Sequence, residues 1–158
     1  MIKLIRIDDR LVHGQVVFTW VPSLGTDCLV VANDKIAKDD FQKMTLGLAK
    51  PAGVKLLIKS VSDAVIFLND EKNKALKILL LVNAVKDALA LASGVPEIRS
   101  INFGGIRAKE GAKLISKAVA LTGDDVIIIK ELLQRGIELE IRQVPSDEKQ
   151  KVSAFIPV

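Results

Sequence analysis

The densest polar run in this 158-residue chain is Arg6-Ile-Asp-Asp-Arg-Leu-Val-His-Gly-Gln15, and it holds the only histidine, His13. An imidazole is largely neutral at physiological pH, and its free nitrogen is a competent nucleophile toward phosphorus. His13 is therefore a candidate to take up a phosphoryl group and hand it on. A lone histidine is more often structural, so its neighbours must raise it above that reading. Gly14 lets backbone come close. The apolar stretch Val16 to Trp20 reads as a short helix beginning beside His13, and the N–H groups and positive dipole end of such a helix attract phosphate oxygens. Arg10 offers a planar guanidinium able to hold two of those oxygens at once. His13 and Arg10 form the candidate catalytic pair, with Asp9, Gly14 and Gln15 in support. Asp8 and Asp9 either brace the loop, by accepting a bond from a loop N–H or from Arg10, or form a solvated turn. Transfer at such a site rests on positioning and charge stabilisation.

Rival chemistries find fewer of the groups they need. One histidine and two adjacent aspartates lack zinc-ligand spacing, and no metal or cofactor is expected. An aspartate pair after a first strand resembles the magnesium pocket of receiver domains, yet Asn83, after Leu79 to Val82, supplies no phosphoacceptor carboxylate. Neither GxGxxG nor the P-loop pattern occurs after a strand. Cys28, inside an apolar run, reads as a small buried hydrophobe. A noncatalytic α/β module whose His13 loop holds an anion or nucleotide stays open as the second reading.

For these side chains to meet, a scaffold must fix their loops. Short β-rich apolar runs at Ile2 to Ile7, Cys28 to Ala32, Val54 to Ile58, Ala75 to Val82, Ile98 to Phe103, Ala118 to Leu121 and Ile137 to Ile141 alternate with segments of helical period. That alternation predicts an α/β fold: an open three-layer α/β/α sandwich on a mostly parallel sheet of about seven strands. One domain over residues 1–158 is expected. Val61, Ala64, Val65 and Leu68 share a helix face, as do Val85, Ala88, Leu89 and Ala92. Phe41, Met44 and Leu48 share one face of another amphipathic helix candidate, the kind of face that ordinarily packs inward. Ser60 with Asp63 and Thr122 with Asp125 resemble N-terminal caps, and Arg135-Gly136 a helix end.

Ligands of such sheets gather at the carboxyl ends of the strands. This brings in Asn102 and Gly104 from the fifth run, and Ser60 after the third, as phosphate-supporting residues. Each has a plainer reading, Gly104 as a tight turn and Ser60 as a helix cap. Trp20 either anchors the first helix in the core or meets a partner.

Composition narrows the class. At 49% hydrophobic and 27% charged, without low-complexity stretches, the chain reads as globular. No apolar run approaches the roughly 18 residues of a membrane span, and no signal peptide is recognisable, so a cytoplasmic location is expected. The net charge of +4 is spread along the sequence, and aromatics are only 4% with no Tyr, which argues against nucleic acid as a partner.

Arg6 to Val16 resembles the signature of the mannose/fructose/sorbose family of IIB proteins of the sugar phosphotransferase system. Ile101-Asn-Phe-Gly-Gly105, Ile115-Ser-Lys-Ala-Val119 and Gly136-Ile-Glu-Leu-Glu-Ile-Arg-Gln-Val-Pro-Ser-Asp147 resemble family segments in the same order. Val82-Asn-Ala-Val85 departs from the Lys-Asn-Pro-like loop of many relatives. The resemblance implies a protein-Nπ-phosphohistidine–sugar phosphotransferase. In it, His13 accepts a phosphoryl group from a IIA protein and donates it to a sugar carried by the membrane components IIC and IID, with Arg10 contacting the phosphoryl group. It also implies peripheral association with that complex at the inner membrane face. Because Met1 opens directly on the first strand, the IIA donor is expected on a separate polypeptide. The sugar stays open among mannose, fructose, sorbose and amino sugars.

Overall fold

Strands that are apolar at every position belong at the centre of a parallel sheet, where helices cover both faces. Cys28–Ala32 and Ile78–Val82 are of this kind and are buried at all five positions each. The structure, a computed structural model, describes residues 1–156. In chain order its strands are Ile2–Asp8 (β1), Cys28–Ala32 (β2), Lys55–Lys59 (β3), Ile78–Val82 (β4), Ser100–Gly105 (β5), Lys113–Leu114 (β6), Ala120–Leu121 (β7), Glu138–Ile141 (β8) and Gln150–Lys151 (β9). The α-helices are Val21–Leu24 (α1), Asp40–Leu48 (α2), Val61–Asn69 (α3), Val85–Gly94 (α4) and Gly123–Gln134 (α5).

The main sheet runs β3-β2-β4-β1-β5-β8-β9. Its first six strands are parallel, and β9 pairs antiparallel with β8. One face, with Leu29, Val31, Leu79 and Leu81, packs under the segment from Leu11 to Val21 and under Leu46 and Ala49 near the end of α2. The other, with Ile5, Ile7, Val30, Leu80, Ile101 and Phe103, packs under α3, α4 and α5. The open three-layer α/β/α sandwich expected from the alternation is present.

Two expectations need correction. Ala118 to Leu121 does not join the main sheet. Ala120 and Leu121 pair antiparallel with Lys113 and Leu114 in a separate hairpin, and the seventh strand is the short, exposed β9. Two polar residues at a sheet edge carry no apolar run by which to find them. The Phe41, Met44 and Leu48 stripe of α2 points outward, at 72%, 60% and 84% exposure. Leu46 and Ala49 make the inward contact instead, and α2 has no fully buried residue.

The caps follow the expected chemistry. Thr122 and Asp125 form a reciprocal capping box on α5, at 3.1 and 3.0 Å, and Ser60 Oγ accepts the Asp63 N–H of α3 at 3.1 Å. Gly136 closes α5 with φ of 79°, a conformation that favours glycine.

Candidate active site

A parallel strand covered on both faces should be apolar on both, yet β1, β5 and β8 alternate. Ile5, Ile7, Ile101, Phe103, Leu139 and Ile141 point to one face, while Arg6, Asp8, Asn102, Gly104 and Glu140 point to the other. Register sets Arg6 beside Asn102, and Asn102 beside Glu140, in a row across three strands. This polar row is buried, with Arg6 at 0% exposure and Asp8 at 2%. Buried charge of this kind persists only when paired and hydrogen-bonded. Arg6 Nη1 donates to Asn102 Oδ1 at 2.7 Å and to the Arg142 carbonyl at 3.0 Å. Its Nη2 lies 3.3 Å from Asp8 Oδ2. Arg142 Nη2 lies 3.1 Å from Glu140 Oε1, which also accepts from Asn102.

Trp20 roofs the row, with the Arg6 and Arg142 guanidinium carbons 5.3 and 4.9 Å from its ring centroid. Its indole N–H donates to the Gln143 carbonyl at 2.9 Å. A π-helical turn over Val16–Trp20 carries Trp20 to this position. Pro22 follows one residue later, after Val21, and has no N–H with which to continue the ordinary helical ladder.

The row ends at the histidine. Asp8 Oδ2 lies 2.9 Å from His13 Nε2, and Asp8 Oδ1 accepts the Arg10 N–H at 3.0 Å. Burial of Asp8 favours its neutral acid. The bonds from His13 and the Arg10 backbone, with the nearby charges of His13 and Arg6, outweigh that and hold the carboxyl below its ordinary value. An ionised Asp8 can only accept, so Nε2 carries the proton it shares with Asp8, and in the neutral ring the lone pair is on Nδ1. Nδ1 has no hydrogen-bond partner and is shielded from solvent. The His13 carbonyl accepts the Val17 N–H at 2.9 Å, so His13 stands at the start of a helical segment, as its sequence context predicts. Leu11, buried with φ of 58°, makes the tight turn between Asp8 and His13, an uncommon conformation for a residue with a side chain.

The other predicted residues divide. Arg10 is exposed, and with Gln15 it lines a cleft beside the loop. Asp9 Oδ2 accepts from Arg107 Nε at 2.7 Å and from the Arg107 N–H at 2.9 Å, tying the β1 loop to the loop after β5. Gly14 follows His13 directly. Asn102 belongs to the buried row and reaches the site only through Arg6. Ser60 lies at the end of β3, with β2 and β4 between it and β1, and serves as the cap of α3. It is not brought to His13. Gly104 is not a turn: a Cβ there would fall inside the Arg6 guanidinium, which lies flat on its backbone. Gly104→Ala is accordingly expected to displace Arg6, cost about 1–3 kcal/mol and slow any reaction of His13. A urea titration of the variant checks the first effect.

Arg6, Glu140, Arg142 and Gln143 belong to the site without standing among its sequence-derived candidates, and Trp20, read there as core anchor or partner contact, belongs with them. The polar alternation within parallel strands is the signal that identifies two of them, Arg6 in β1 and Glu140 in β8.

Comparison with known proteins agrees with this geometry. The sequence matches the family described as PTS system sorbose subfamily IIB component over residues 2–157. A probable phosphotransferase enzyme IIB component of Streptococcus pyogenes serotype M6 is 37% identical over 163 residues, spanning 99% of each chain. The mannose-specific EIIAB component of Escherichia coli K12 is 34% identical over 156 residues, covering 99% of this chain and 48% of that longer protein. Among solved structures, the IIBSor domain of the sorbose permease from Klebsiella pneumoniae superposes with a TM-score of 0.91 at 30% identity. That match covers 96% of this chain and 93% of the other.

Proposed function

The chain belongs to the sorbose subfamily of IIB components of the phosphotransferase system, and from that premise we propose that it is a cytoplasmic phosphocarrier acting through His13. The observation that carries this reading is the 2.9 Å contact between Asp8 and His13 Nε2, which leaves Nδ1 as the nitrogen with a free lone pair. In the first half-reaction the phosphorus–nitrogen bond of a phosphorylated IIA protein breaks and a bond from Nδ1 to phosphorus forms. In the second, that bond breaks, a sugar hydroxyl oxygen bonds to phosphorus, and the hydroxyl proton passes to solvent. The sugar is presented by the membrane components IIC and IID, with which this chain associates peripherally.

Each residue has a definite part. Asp8 keeps Nε2 protonated and stabilises the positive ring of the phosphorylated state. Arg10 and the helix start beyond His13 meet the phosphoryl oxygens. Nδ1 is shielded in the isolated chain, so the donor reaches it only after the ring or the β1 loop shifts on docking.

Incubating the chain with phosphoenolpyruvate, the energy-coupling proteins and its IIA partner is expected to leave acid-labile phosphate on it; no incorporation would end the proposal. Asp8→Asn is expected to slow that incorporation by about 100-fold or more, as the loss of a carboxylate that fixes a tautomer does elsewhere. Because the folded Asp8 carboxyl sits below its unfolded value of about 3.9, its stabilising effect is complete above that pH. It fades as the pH falls from about 4 through the folded value, since the unfolded chain takes up the proton first. The acid limb of stability should therefore be shallower in Asp8→Asn than in wild type, read from melting temperatures between about pH 5 and pH 2.

A further inference from the structure

Beside His13, a cleft of about 330 Å³ opens between the β1 loop and the segment that follows β5. Sites that hold whole small molecules occupy about 300–1,000 Å³, more room than a phosphoryl group in transit requires. Three cations line the cleft: Arg10, Arg107 and Lys117. The two carboxylates at its floor are already engaged, Asp9 by Arg107 and Asp8 by Arg6, His13 and the Arg10 N–H. Among the described residues neither the Arg10 guanidinium nor the Lys117 ammonium is paired with a carboxylate, so the cleft holds uncompensated positive charge. Gln15 adds an amide suited to hydroxyl groups, Gln143, whose amide N–H donates to the Gly104 carbonyl, adds its oxygen, and Leu114 adds an apolar wall.

Unpaired cations, amides and an apolar surface in one cleft of this size match a phosphorylated sugar better than a bare phosphate. We propose that this chain itself holds the sugar phosphate product before release, with Arg10 and Lys117 on the phosphate and Gln15 and Gln143 on the sugar hydroxyls. The inference rests on the phosphocarrier reading and adds a ligand to it. A product bound there lies against Asp8, Arg10 and Gln15, the residues that flank His13 in its loop, so it competes with renewed phosphorylation.

The test titrates the purified chain with mannose 6-phosphate, fructose 1-phosphate and glucosamine 6-phosphate, and in parallel with inorganic phosphate and each free sugar, following backbone amide resonances. At least one sugar phosphate is expected to bind about tenfold tighter than inorganic phosphate and than its own sugar, a difference of about 1.4 kcal/mol. Resonances of Gln15 and Lys117 should move, and Lys117→Ala, at an exposed position, should weaken binding several-fold. Binding of every sugar phosphate no tighter than phosphate, or binding indifferent to Lys117→Ala, overturns the inference. Phosphorylation of wild-type His13 in the same preparation separates the two readings. Labelling without preferential sugar phosphate binding removes this inference alone, whereas binding without labelling removes the phosphocarrier reading beneath it.

Discussion

A His13→Ala protein is expected to fold as the wild type does and to take up no acid-labile phosphate. No other imidazole in the chain could substitute for it. The side chain is 11% exposed, and its hydrogen-bond partner is Asp8. Its removal also leaves Asp8 with the Arg10 N–H and the Arg6 guanidinium as partners. The buried carboxylate is thus not stranded, and the melting temperature should change only slightly. Circular dichroism checks the fold, and transfer of radiolabelled phosphate from phosphoenolpyruvate checks the loss. A variant that labels at the wild-type rate would locate the phosphate on another residue.

Arg6→Met is expected to do the reverse, damaging the fold as well as the site. Arg6 lies wholly within the protein, and its burial disfavours the charged guanidinium, against which the Asp8 charge acts. Removing it leaves Asp8 buried without its cation, deprives Asn102 Oδ1 and the Arg142 carbonyl of their donor, and takes one cation from beneath Trp20. Breaking one side of a buried ion pair costs about 3–5 kcal/mol, to be measured as a fall in the urea midpoint. Pairing Arg6→Met with Asp8→Asn should recover part of that loss, because the stranded charge is gone. If the losses of the two single variants simply added in the double variant, the Arg6–Asp8 contact would carry no coupling energy.

These two residues also mark how far the sequence can be read. Cys28–Ala32 and Ile78–Val82 are legible because a strand covered on both faces is apolar throughout. The loop at His13 is legible because charge, glycine and a helix start follow one another in sequence. The row beneath it is not, because Arg6, Asn102 and Glu140 are separated by 96 and 38 positions along the chain and meet only through strand register. Ser60 misleads for a related reason: it sits at a carboxyl strand end, but two strands stand between its own and β1. The outward stripe of α2 shows a further limit, since periodicity gives the angle of an apolar face and not the direction in which that face points.

Phosphorus-31 NMR of the intact chain, phosphorylated by its donor system, tests the role of His13 most directly. One acid-labile phosphoramidate per chain, bonded to His13 at Nδ1, is the expected result. Phosphate on Nε2, an acid-stable phosphoester, or no incorporation by a competent donor would contradict it.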